Sequence, residues 1–158
     1  MWRPRSRPAR GHALPGAAAA LAAVAALGPA VVQSVLTGNV PAMARAKLAA
    51  FGLGAHLDLD VGAYGDHHEV RAELVHLARG RACAAYGREF GGQATVLVGD
   101  TPLDVEAALA TGARAVGVAT GGPAAADLAA AGADVVLPDL TDTTAAVAAI
   151  TGAAAPSR

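Results

Sequence analysis

Two aspartates four positions apart, Asp100 and Asp104, lie just beyond the apolar run TVLV, in the stretch GDTPLD. Gly99 lets the backbone turn as the run ends. Asp104 falls at the start of the next helix, so its carboxylate can lie near that of Asp100. Two carboxylates at such a loop can hold Mg²⁺, which prefers hard oxygen ligands and keeps several waters. The same spacing also suits a plainer arrangement, in which Asp104 caps its helix and Asp100 supports the loop.

A second group lies upstream. Thr37-Gly38-Asn39 closes another apolar run, VVQSVL. A hydroxyl beside two backbone amides can bind phosphoryl oxygens, although Thr-Gly-Asn is also ordinary turn chemistry. Arg71 stands at a helix start after the loop VGAYGDHH. A guanidinium there can neutralise a phosphoryl charge, or it can face solvent.

Other chemistry-bearing residues carry less. His67 and His68 are adjacent in a loop, so their side chains diverge, and no third ligand stands at metal spacing. His12 and His76 are uninformative. Gly121-Gly122-Pro123 lacks a dinucleotide fingerprint. Cys83 is the single cysteine, which excludes an internal disulfide and fits a reducing compartment.

Elements must bring these residues together. Apolar runs at 31–36, 56–59, 95–98, 114–119 and 134–137 read as strands. Helical patterns fall at 16–27, 41–50, 69–86, 104–111, from Pro123 to 131, and at 143–150. In the 69–86 helix, Val70, Leu74, Leu77 and Ala78 are expected on one face. Strands that alternate with helices, and that are apolar throughout, predict an α/β fold: a Rossmann-like parallel sheet with helices on both faces. Ligands of such sheets bind beyond the carboxyl ends of the strands. Thr37, Arg71 and Asp100 would then share one edge.

The chain has 158 residues, 54% of them hydrophobic and 16% charged, so one ordered domain is expected. Alanine dominates and aromatics make up 3%, which implies a core of small side chains. A net charge of −1 argues against nucleic acid as a partner. The start, MWRPRSRPAR, is basic, and an Ala-rich stretch follows, in the outline of an export signal. Pro15, Gly16, Gly28 and Pro29 interrupt that stretch, so no membrane span is expected. The domain reading is a basic tail at 1–12, a core at 13–150 and a flexible tail at 151–158, in a cytoplasmic protein.

Taken in order, VLTGN, VRAELV and VLVGDTPLDVEAALATGARAVGVATG resemble the second, third and fourth motifs of the haloacid dehalogenase-like hydrolase superfamily. LPGAAAALAAVAAL is similar to the segment that enters the family's core, and GADVVLPDLTD to its closing strand. The resemblance spans about residues 14–150. It implies a phosphatase-type, Mg²⁺-dependent hydrolase acting on a small phosphorylated metabolite, such as a phosphoglycolate-like ester. Thr37, with Gly38 and Asn39, would hold the phosphoryl group. Arg71 would supply the third-motif cation, where the family usually has Lys. Asp100 would be a Mg²⁺ ligand, and Asp104 a ligand through water or the partner of the cation.

The family's nucleophile is an Asp in a DxDxT motif at the end of the first strand. Here the first acidic residue is Asp58. Leu57-Asp58-Leu59-Asp60 contains a D-x-D, but it follows Thr37 and no strand precedes it in the right order. The resemblance therefore implies a C-terminal portion without the first motif, the central first strand and most of the cap. A late-starting gene model and a genuine loss would both produce this. Negligible turnover and marginal stability are the expectations. A non-catalytic phosphate- or metal-binding module is the alternative, and a receiver-like signalling domain is disfavoured by the lack of early acidic residues.

Overall fold

The computed structural model of the chain describes residues 13–120 and 124–153. The expected tail at 1–12, His12, the turn at 121–123 and residues 154–158 lie outside them.

Three strands form one parallel sheet in the order β1-β2-β3: β1 (Val96–Gly99), β2 (Arg114–Val118) and β3 (Val135–Leu137). Val96 pairs with Arg114, and Val116 with Val135. Among the described residues, six α-helices accompany the strands: α1 (Ala17–Ala25), α2 (Pro41–Ala50), α3 (Arg71–Tyr86), α4 (Pro102–Ala110), α5 (Ala125–Ala130) and α6 (Thr143–Thr151). Helix α6 runs through Thr151, one residue into the expected tail.

Side-chain alternation splits the core in two. Val96, Val116, Val118, Val135 and Leu137 pack with residues of α1 and α6, including Ala20, Ala146 and Ala149. Leu97, Ala115 and Val136 pack the other way, with Val105 and Ala108 of α4 and Leu128 of α5. Both sheet faces are therefore covered, as the apolar strand runs predict. Among the described residues, alanines fill ten of the 21 buried apolar positions, and each contributes little apolar area. The load falls on a few residues such as Leu128, Val116 and Val118, each worth about 1.5–3 kcal/mol on burial.

Polar side chains join the layers. From β2, Arg114 donates to the carbonyls of Ala149 (2.8 Å) and Ile150 (3.0 Å). A cation thus meets the negative end of the α6 dipole. The Asp134 carboxylate accepts from the Ala115 amide at 2.7 Å and closes the start of the β2–β3 pair.

Two expected strands are absent. Residues 31–36 form a single isolated parallel bridge, Leu36 to Ala63. The 56–59 region begins instead with a 3₁₀ turn, Gly54–His56. The reason lies in how these two segments meet. The carbonyls of Gln33 and Val35 accept from the amides of Asp58 (2.8 Å) and Ala63 (3.1 Å), and Ala63 returns a carbonyl to the Thr37 amide (3.1 Å). Between Asp58 and Ala63 the partner chain turns, with the Gly62 amide on the Leu59 carbonyl. The turn breaks the ladder before a regular strand can form. The expected apolar face of α3 also differs: Leu74, Val75 and Ala82 are buried, whereas Val70 is 54% exposed.

β1 is an edge strand. Its other side has no strand partner among the described residues, and Val98 is 42% exposed.

Candidate functional site

Arg71 is the first residue of α3, and Asp104 lies in the first turn of α4. Their side chains meet: Arg71 Nη1 donates to Asp104 Oδ1 at 2.6 Å, with the two side chains 34% and 17% exposed. This is a charge-assisted bond at short range. Two helix N-termini are thereby drawn together just past the carboxyl end of β1.

The other Asp104 oxygen has a separate task. Oδ2 accepts from the Thr101 amide at 3.2 Å and from the Thr101 hydroxyl at 3.0 Å. Thr101 is the N-cap of α4, and Pro102 opens the helix, where its missing N–H is harmless. Asp104 therefore both caps its helix and anchors Arg71. Gly99 makes room for this: a Cβ there would lie 2.4 Å from the Asp104 side chain.

Asp100 follows β1 directly and is half-buried. Among the described residues its carboxylate has no hydrogen-bond or ion-pair partner. No group of three or more His, Cys, Asp or Glu among them is arranged to hold a metal. Both Asp104 oxygens carry hydrogen bonds, so among the described residues near this loop the Asp100 carboxylate is the one left available to a cation. One carboxylate suits Mg²⁺, which keeps several waters and takes other oxygens from a bound phosphate.

Thr37 ends the bridged segment. Its Oγ1 accepts from the Asn39 amide and from Asn39 Nδ2, both at 3.1 Å. The TGN segment is thus a compact hydroxyl–amide turn. The Gly38 carbonyl and its neighbours pack against Gly65, whose amide donates to the Asn39 carbonyl at 3.0 Å. From Gly65 the chain runs to Arg71 past a shallow recess of about 490 Å³ lined by residues 65–70. Hydrogen bonds and ion pairs join Arg71 to Asp104, and none joins Thr37 to Arg71, Asp100 or Asp104. Backbone continuity through Gly65 is what connects the two halves.

His67 and His68 serve their own loop: His67 Nδ1 accepts from the Tyr64 amide (3.2 Å) and His68 Nδ1 from the Val70 amide (3.0 Å). Sequence reasoning missed Arg79. It donates to Thr95 Oγ1 (2.9 Å), the Thr111 carbonyl (2.8 Å) and the Gly92 carbonyl (3.0 Å). Burial lowers its pKa. Arg79 fastens α3 to the end of α4 and to the approach to β1. Its only signal in the sequence was its place in the same helix as Arg71.

Among the described residues, no helix is long and apolar enough to cross a membrane. A family model for haloacid dehalogenase-like hydrolases matches residues 2–109. No curated protein matches the chain. Solved structures resemble it, among them the following three. A HAD family hydrolase from Deinococcus radiodurans R1, with bound phosphate and sodium, is 25% identical at a TM-score of 0.67 and covers 92% of this chain and 63% of its own. A protein assigned as a β-phosphoglucomutase from Bacteroides vulgatus is 16% identical at 0.65 and covers 91% and 55%. A predicted phosphatase from Clostridium acetobutylicum is 22% identical at 0.60 and covers 75% and 51%. The chain thus spans between about half and just under two thirds of the length of these structures. With the family model matching well over half of its length, the chain belongs to the haloacid dehalogenase-like hydrolases.

Proposed function

We propose that the chain carries the phosphate- and metal-facing part of a phosphatase site for small phosphate esters of the phosphoglycolate type. Thr37 and the amides of Gly38 and Asn39 take phosphoryl oxygens. Arg71 neutralises their charge, and Asp104 holds its guanidinium in place. Asp100 is the ligand for Mg²⁺, which supplies charge neutralisation when bound. Phosphoryl transfer depends mainly on positioning and on neutralising charge spread over the oxygens, so these residue types suit the task.

The observation that carries this is the 2.6 Å pair of Arg71 and Asp104, with the Asp100 carboxylate at the end of β1 four residues before Asp104. Further support comes from the Deinococcus hydrolase, a structural relative with bound phosphate. A cytoplasmic setting fits a small metabolite and a single reduced cysteine.

Turnover needs a nucleophile, and Asp58 is the first carboxylate in these 158 residues, well after Thr37. The 158-residue chain is therefore expected to bind phosphate without hydrolysing esters. The same observation favours the second reading, a non-catalytic phosphate-binding module. The test is hydrolysis of p-nitrophenyl phosphate with Mg²⁺, run beside a titration of inorganic phosphate. Background hydrolysis with phosphate binding that Arg71→Ala weakens supports the proposal. Turnover that Asp100→Asn abolishes would show that a group in the chain does replace the nucleophile. Absence of phosphate binding would defeat both readings.

A further inference from the structure

We propose that Gly65 is the positioning residue of the Thr37–Gly38–Asn39 loop, holding it by a backbone-to-backbone contact that admits no side chain. A Cβ built at Gly65 would lie 1.9 Å from the Gly38 carbonyl oxygen and 2.5 Å from its carbon, whereas ordinary contact begins at 3.4 Å. Glycine is needed there for space alone. Gly65 is not among the glycines with positive φ, so alanine could adopt its backbone conformation. At Gly38, the glycine inside the motif, a Cβ would meet nothing within 4 Å.

Two hydrogen bonds straddle this contact. The Thr37 amide donates to the Ala63 carbonyl at 3.1 Å, and the Gly65 amide to the Asn39 carbonyl at 3.0 Å. The bracing segment is itself anchored. Tyr64 is 3% exposed, and its hydroxyl donates to the Leu59 carbonyl at 2.7 Å. Gly62 approaches the Val35 carbonyl so closely that a Cβ would sit at 2.9 Å. The same segment then leads into Arg71. Gly65 therefore sets where the hydroxyl–amide turn stands relative to the guanidinium, although neither side chain touches the other. That the braced loop binds phosphate rests on the function proposed above; that Gly65 braces it does not.

Gly65→Ala is the direct test, with Gly80→Ala as control, because a Cβ at Gly80 meets nothing within 4 Å. The amide resonances of Thr37, Gly38 and Asn39 should shift and exchange faster in Gly65→Ala and stay unchanged in Gly80→Ala. Unchanged resonances at residues 37–39 in a folded Gly65→Ala protein would overturn the proposal. Should Gly65→Ala not fold, native-state hydrogen exchange of the wild-type chain decides. The Thr37 and Gly65 amides should open together, and independent opening would refute the brace. Inorganic phosphate separates the two proposals. Where the wild-type loop responds to phosphate, Gly65→Ala should weaken its affinity about tenfold or more, since an ångström of misplacement is costly. Affinity equal to wild type would count against Gly65. A wild-type loop silent to phosphate would sink the function while the amide shifts still judged the brace.

Discussion

Arg71 and Asp104, 33 positions apart in the chain, are joined by a 2.6 Å ion pair at the mouths of two helices. One carboxylate serves two ends: Oδ1 takes the guanidinium, and Oδ2 takes the cap of α4. Different substitutions separate these duties. Asp104→Asn keeps an acceptor for Thr101 and removes the charge. Asp104→Ala removes both. The alanine variant should lose about 2 kcal/mol, combining a lost cap with a partly exposed charge-assisted bond. The asparagine variant should lose about half that. Equal and negligible losses in urea titrations would mean that the pair does not form in solution.

Gly99→Ala attacks the same carboxylate from below. The added methyl would occupy the place of the Asp104 side chain, 2.4 Å from its nearest atoms. Asp104 must swing away, which breaks the cap and the ion pair together. Its destabilisation should match or exceed that of Asp104→Ala. In the double variant the two effects should be far from additive, because they act on one group. Full additivity would place the Gly99 effect elsewhere.

Arg79 makes a prediction about shape rather than charge. Its three acceptors stand on two segments, the turn before β1 and the end of α4, and one planar fork meets them all. Arg79→Met keeps the stem and removes the guanidinium donor from all three acceptors. The expected cost is about 2–4 kcal/mol by thermal or urea unfolding. Arg79→Lys should recover less than half, because an ammonium cannot reproduce the fork. Complete rescue by lysine would show that charge alone matters here.

Most of the helices were legible because their punctuation is local. Pro41 opens α2, and Gly87 and Gly152 end α3 and α6 in the left-handed conformation that glycine favours. Gly80 lowers the helical propensity of α3 without ending it, since packing of Leu74, Val75 and Ala82 decides. The strands of the sheet were legible as short apolar runs between helices. VVQSVL had the same signature yet forms one bridge, because a strand also needs a regular partner. The turn between Asp58 and Ala63 denies it one. The pairing of Arg71 with Asp104 was partly legible, as one of two roles open to Asp104. Arg79 and Gly65 were not, because each matters only through chain segments distant in sequence.

Tyr64 predicts an alkaline limit. Burial is the main cause that raises its phenol pKa above 10.0, with nearby Asp60 and Asp58 adding to it and Arg45 and Arg81 opposing. The unfolded chain then releases its proton first as pH rises. The stabilising contribution is complete below pH 10.0 and is lost progressively as pH climbs through the folded value. Tyr64→Phe should be weaker at neutral pH by about 1 kcal/mol, because the Leu59 carbonyl loses the phenol as a donor. Its stability should fall less steeply above pH 10.0 than that of wild type. Parallel pH profiles of the two proteins would remove Tyr64 from the account.

The exposed side of β1 predicts how the chain fails. Among the described residues, this four-residue strand pairs on one side only, and Val98 adds exposed apolar surface at its open edge. Such an edge is a template for pairing with another chain. The 158-residue chain should therefore self-associate as concentration rises, and partially unfolded protein should do so faster. Val98→Lys places a charge on that edge, where burying it in a neighbour's sheet is costly. Because Val98 is 42% exposed, the change should shift stability by no more than about 0.5 kcal/mol. Light scattering and sedimentation should show less association for Val98→Lys at equal concentration. Association unaffected by Val98→Lys, but suppressed by a lysine at Leu103 or Leu109 on the exposed face of α4, would move the contact from the strand edge to that helix.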